Sequence, residues 1–184
     1  LCDQSLTKAR TALNALVQKS DRPFKNNLLT FETILADMSD ETTPLSFMGY
    51  VHNDATIRDE GSNCESAVSQ FYVEVFTRKD LYEAIKNSTA SNDDEARLLS
   101  ETKKKKEKNG MNLADADLAK FKELKQQLAG LESQFSANLN NDVTTFTLAP
   151  EELAGVPKNF IDGLKKDADG KYIVDTKEPS YVVV

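Results

Sequence analysis

Residues 112–141, NLADADLAKFKELKQQLAGLESQFSANLNN, limit what this chain can fold into more than any other stretch. Leu118, Phe121, Leu124, Leu128, Leu131, Phe135 and Leu139 recur at spacings of three and four. That period puts them on one apolar stripe along a helix of about eight turns. Asp115 suits the N-terminal cap, and Asp115 and Asp117 place carboxylates in the first turn, where the helix dipole favours them. Lys120, Lys122, Glu123, Lys125, Gln126 and Gln127 make a solvated opposite side. A stripe of this kind is expected to be core. Truncating Leu128 or Leu131 to Ala would then cost ~2–5 kcal/mol. Nothing in the helix performs chemistry by spacing alone.

The remaining pattern is mainly α. Leu6, Ala9, Leu13, Leu16 and Val17 predict a first helix over roughly 5–19, with Ser5 or Asp3 as cap, ended by Asp21-Arg22-Pro23. Leu28, Phe31, Ile34, Leu35 and Met38 predict a second. Ser39 to Pro44 reads as a polar connection to a short third helix with Leu45, Met48, Tyr50 and Val51. Asn53 or Asp54 caps a fourth, carrying Ile57, Cys64, Val68, Phe71, Val75 and Phe76, in which Gly61 costs ~1 kcal/mol relative to Ala and marks a possible break. A short helix from Asp80 and a mostly solvated one over 93–108 follow, the latter stopped by Asn109-Gly110.

After Asn141 the period changes. Residues 143–148 alternate and are β-branched, so they read as a strand. Pro150 and Pro157 each open a brief helical turn, the second with Phe160, Ile161 and Leu164 facing in. Asp169-Gly170 is a hairpin signal leading into a strand at 171–176, and 181–184 reads as a third strand. The architecture expected is a multi-helix array or bundle with a long amphipathic helix, then a small antiparallel β-sheet. Open edge groups at Val182, Val183 and Val184 would invite pairing with another chain.

Thirty acidic against 23 basic residues give a net charge of −7. An acidic domain gains nothing from counterion release, so no nucleic acid partner is expected. The run Lys103 to Lys106 lies between Glu101 and Glu107 and reads as a solvated helix face. No stretch approaches the ~20 apolar residues of a membrane helix, so no membrane partner is expected either. Cys2 and Cys64 are too few for a disulfide framework, and Cys64 reads as a small buried hydrophobe. Reduced cysteines and an acidic surface point to the cytoplasm. Asn87-Ser88-Thr89 matches a glycosylation sequon, which an intracellular chain would carry merely as a loop.

No catalytic constellation emerges. His52 is the sole histidine, and Cys2, His52 and Cys64 lack metal-ligand spacing. Asp167-Ala168-Asp169-Gly170 resembles the start of a calcium loop, but its glycine is at position four rather than six and Glu178 is followed by Pro179, so a β-turn is the better reading. No glycine-rich phosphate loop or nucleophile elbow is present, and His52 has no identified partner as a base. Catalytic, cofactor-binding and metal residues are therefore all expected to be none in this chain.

Four segments, in order, carry a resemblance: KNGMNL at 108–113, LAGLESQFSANLNND at 128–142, APEELAGVPKNFIDGLKKDADGKY at 149–172 and KEPSY at 177–181. FKNNLLTFETI at 24–34 is compatible but looser. In these the chain resembles the thimet oligopeptidase/neurolysin/saccharolysin family of zinc metallo-oligopeptidases. Three valines follow Tyr181 where that family has a proline soon after the tyrosine.

The resemblance implies a largely helical, clam-like enzyme with a deep channel, in which zinc held by H-E-x-x-H and a more distant Glu hydrolyses short peptides. No position here corresponds to those residues. Residues 1–142 would be a helical N-terminal wall domain, and 143–184 a small α+β segment leading into a missing catalytic half. Short peptides would be substrates of the full-length enzyme, which holds the zinc, and this segment alone would be inactive. Since Leu1 is not an initiator Met, the chain reads as an excised piece. The rival expectation is a non-catalytic helical scaffold or interaction domain. An enzyme complete within 184 residues is disfavoured by the lack of convergent catalytic groups.

Overall fold

The computed structural model describes residues 1–18, 25–177, 180 and 182–184. The expected break at Asp21-Arg22-Pro23 lies outside them, as do Glu178, Pro179 and Tyr181. Seven α-helices are found among the described residues: α1 Cys2–Val17, α2 Thr30–Val51, α3 Ala55–Phe76, α4 Lys79–Lys86, α5 Asp93–Lys106, α6 Asp115–Asn141 and the short α7 Lys158–Ile161. A three-stranded antiparallel sheet is formed by β1 Thr145–Leu148, β2 Lys165–Lys166 and β3 Tyr172–Asp175, in the order β1-β3-β2. The chain divides into two compact units, Leu1–Ser136 and Ala137–Val184, with the boundary inside α6. No described helix is long and apolar enough to cross a membrane.

The first unit is built on α2 and α3, two long helices joined by three residues. Asp54 caps α3 by accepting from the Thr56 N–H at 2.8 Å. Ser39 to Pro44, expected as a connection, is helical, and α2 continues through Pro44. Pro44 removes one backbone donor. Packing along α3 offsets that loss, and buried Thr42 secures the turn before it by donating its hydroxyl to the Met38 carbonyl at 2.8 Å.

The continuous helix delivers Gly49 to Gly61. A Cβ on Gly61 would lie 2.3 Å from the Gly49 nitrogen, and one on Gly49 would lie 3.0 Å from the Ser62 nitrogen. Gly61 therefore does not break α3; it lets two backbones touch.

Leu6, Leu13 and Leu16 of α1 pack with Phe31 of α2, Phe71 and Val75 of α3, and Leu81 and Ile85 of α4 in one core. Arg10 pairs with Glu74 at 2.9 Å and lies over the Phe71 ring. Buried Asn27 donates to the Ala84 carbonyl at 3.1 Å, fastening the entry of α2 to α4. Helix α1 starts at Cys2, ahead of the expected caps Ser5 and Asp3, and Cys2 forms a disulfide with Cys64 of α3. The cysteines are therefore not free. They are 62 positions apart in the sequence, and the packing of α1 on α3 brings them together. The premise of a reduced pair, on which the cytoplasmic expectation partly rested, falls with this bond.

In the second unit, β1 pairs with β3 in the register Phe146↔Val174, and β2 pairs with β3 through Lys166↔Tyr172. The β2–β3 turn has Gly170 at φ 81°, with Asp167 accepting from the Asp169 and Lys171 amides at 3.0 and 2.9 Å. Asp142 accepts from the hydroxyls of Thr144 and Thr176, both at 2.6 Å, and these bonds hold its carboxyl down to about 2. Lys177 donates to the Leu139 and Asn140 carbonyls at 3.0 and 2.8 Å, placing a cation on the end of α6. Of the third strand expected at 181–184, Tyr181 lies outside the described residues, and residues 182–184 are not in a strand. The Val183 and Val184 amides instead donate to the Ser180 carbonyl in a turn, at 3.2 and 3.1 Å.

Gly61→Ala should lower stability by ~1–3 kcal/mol, since a methyl group must displace the α2 backbone. Gly130→Ala, where an added Cβ meets nothing within 4 Å, should be neutral or gain up to ~1 kcal/mol from helix propensity. Urea unfolding of both variants checks the pair; equal losses would contradict the close crossing.

Candidate functional site

Helix α6 does not bury its stripe, contrary to expectation. Leu118 at its start is 9% exposed, but Leu128, Leu131 and Phe135 are 47%, 63% and 65% exposed, and Leu124 and Leu139 are open as well. The face turned to the protein runs instead through Leu118, Lys122, Lys125, Ala129 and Ser133, all buried or half-buried. At 3.6 residues per turn, that face lies roughly 100° around the helix from the leucine stripe. The helix thus packs through its poorer apolar side and presents its richer one. Gln70 of α3 makes a direct polar link to it, donating to the Gln126 carbonyl at 2.9 Å. At the N-terminus, Lys79 pairs with Asp115, and Gly110 at φ 92° provides the left-handed stop before the helix.

Beside the stripe runs an open groove between α3 and α6, lined by Tyr72, Phe76, Lys105, Lys125, Leu128 and Glu132 among others. The Tyr72 and Phe76 rings stack at 6.3 Å, and the Lys105 ammonium lies 4.4 Å from the Phe76 centroid. In the second unit, β1 is the edge of the sheet among the described residues, and its Phe146 is exposed. Both surfaces offer apolar ground on which another polypeptide could lie.

Lys106 is the other unusual feature. The run Lys103 to Lys106 was expected to be solvated, yet Lys106 is fully buried while Lys104 and Lys105 are exposed. Its Nζ donates to the Val75 carbonyl at 3.1 Å and lies 5.0 and 5.3 Å from the Phe31 and Phe76 centroids. The side chain therefore caps the C-terminal end of α3 with a donor held between two aromatic faces. Burial pushes its ammonium down to about 7, against an upward pull from Asp80. Fully buried, the side chain joins α2, α3 and α5.

The residues do not fit a zinc site. Both cysteines are in the disulfide, the Nδ1 of His52 accepts from the Asp54 N–H at 3.0 Å, and no group of three or more potential ligands gathers among the described residues. Residue spacing carried no signal for the burial of Lys106; its i−4 neighbour Thr102, also buried, is the one local hint of an inward face.

The sign of the Lys106 shift sets a pH dependence. Below about 7 both folded and unfolded chains hold the proton, and the cost of burying charge is fully felt. Between that value and the unfolded ~10.4, the unfolded chain alone keeps it, so stability rises with pH by up to ~1.4 kcal/mol per unit. Lys106→Met should keep the packing and remove this rise. Unfolding free energies from about pH 6 to about pH 9 test it; a variant that parallels the parent chain would show that Lys106 keeps its ordinary value.

No protein-family model matches the chain. It is 26% identical to the thimet-like oligopeptidase of Dictyostelium discoideum over 177 residues, covering 90% of this chain and 26% of that protein. Oligopeptidase A of Haemophilus influenzae is 22% identical, covering 99% of the chain and 29% of the relative. Saccharolysin of Saccharomyces cerevisiae is 24% identical, covering 85% and 24%. The chain spans about a quarter of the length of the curated relatives it matches. Over most of its length, the chain is similar in sequence to oligopeptidases of the thimet-like, oligopeptidase A and saccharolysin kind.

Proposed function

We propose that this chain is the N-terminal, channel-wall part of a zinc metallo-oligopeptidase that hydrolyses short peptides, with the zinc and the catalytic groups supplied by a part beyond these 184 residues. The observation that carries the reading is the uncovered leucine face of α6. An isolated helix of this composition would gain by turning Leu124, Leu128, Leu131 and Phe135 inward. Presenting them outward is sensible when another body of protein covers them. Relatives about four times as long are consistent with such a body. The open edge of β1, with Phe146, is a second place for it to join. In this reading the wall limits substrate length by sterics and makes no bond itself. A net charge of −7 favours peptides over nucleic acid as the substrate class.

The direct test is the reading frame past Val184. It should encode H-E-x-x-H and a more distant Glu, and the whole product should cleave short peptides in a chelator-sensitive way while the 184-residue chain does not. A frame without that motif, or a whole product without peptidase activity, would favour the scaffold reading instead.

The face itself is tested by Leu131→Ala. In the 184-residue chain it should cost less than ~0.5 kcal/mol, as exposed substitutions do. In the whole product the same change should cost ~2–5 kcal/mol. Small losses in both would show that nothing covers α6.

A further inference from the structure

We propose that Asn87 is an N-glycosylation site, modified as the chain passes through the oxidising compartment in which Cys2 and Cys64 are joined. Two independent features meet in this inference. Asn87-Ser88-Thr89 is an acceptor sequence, and no other Asn of the chain is followed at the second position by Ser or Thr. The Cys2–Cys64 disulfide ties α1 to α3. Cytosolic thiols are kept reduced, whereas the endoplasmic reticulum both forms disulfides and glycosylates such sequences. One compartment accounts for both features.

The local geometry suits a sugar. Asn87 is the residue at which α4 ends, with φ −101° and ψ 13°. The next residue anchors the turn: Ser88 is buried, and its amide donates to the Ile85 carbonyl at 3.0 Å. Asn87 and Thr89, on either side, are exposed. Neither the Asn87 amide nor the Thr89 hydroxyl makes a side-chain hydrogen bond within the described structure. A glycan on Asn87 therefore breaks no contact and stands clear of the core residues Leu81, Ala84 and Ile85. The step is a group transfer from a lipid-linked oligosaccharide pyrophosphate. The bond from the first sugar's C1 to the pyrophosphate oxygen breaks, a bond from C1 to Asn87 Nδ2 forms, and the lipid pyrophosphate and one amide proton leave. No electrons are exchanged. The inference does not depend on which reaction a longer chain performs.

The test is mass spectrometry of the protein purified from its own source. Peptide N-glycosidase treatment in heavy-oxygen water should convert Asn87 to a labelled Asp in the tryptic peptide 87–97. A parallel non-reducing digest should contain the Cys2–Cys64 cross-linked peptide. An unmodified Asn87 in that native protein overturns the proposal, whether the cysteines are joined or free. Secretory expression supplies a second arm. Asn87→Gln and Thr89→Ala should lose the glycosidase-sensitive mass, and Thr89→Ser should retain it. A secreted, disulfide-bonded parent chain lacking the sugar would overturn the proposal as well.

Discussion

The contact of Gly49 with Gly61 is the constraint on which the first unit rests. Helices normally keep their axes ~8–10 Å apart because side chains stand between them. Here two glycines remove that spacer, so the α2 and α3 backbones meet directly. The close crossing sets the line along which Phe31 meets Phe76 edge-on at 6.2 Å. That aromatic pair in turn makes the slot for Lys106. A lysine in such a place is costly to desolvate, and the aromatic faces with the Val75 carbonyl, which accepts its hydrogen bond, are what make the position tolerable. Helix α5 is thereby held by one long side chain threaded into the α2–α3 pair, in addition to its apolar residues.

Helix α6 obeys a different logic. After Leu118, its packed face uses short or flexible side chains such as Ala129 and Lys125, while Leu124, Leu128, Leu131 and Leu139 remain exposed. An exposed apolar ridge with an adjoining aromatic groove is a surface whose preference is to be covered by other apolar groups. That preference links the fold to the proposed role more directly than any polar residue does.

The helical class, the α3 cap at Asp54, the left-handed stop at Gly110, the β1 and β3 strands and the Asp169-Gly170 turn were all legible in the sequence. Each depends on residues within a few positions of one another. The errors share the opposite cause. A stripe of period 3.6 says that a helix has an apolar side, but not which side finds a partner; for α6 the packed side was the other one. Pro44 and Gly61 look like breaks locally and are absorbed by a helix pair formed over longer range. Lys106 lies in a charged run, and only the aromatic slot between α2 and α3 distinguishes it from Lys105. Cys2 and Cys64 become partners because α1 packs across α3, a fact that no spacing encodes. For the candidate site, the residues of the ridge were identified and their orientation was not.

The disulfide has a consequence for how the chain survives proteolysis. A backbone cut at any point between residues 2 and 64, whether before α2 or in the three-residue link from α2 to α3, leaves both pieces covalently attached. Helix α1 then stays at high effective concentration beside its seat on α2, α3 and α4 and re-docks faster than it can diffuse away. Nicked chains would run as one species on a gel until a reductant is added. The first third of the molecule can thus be clipped without being lost.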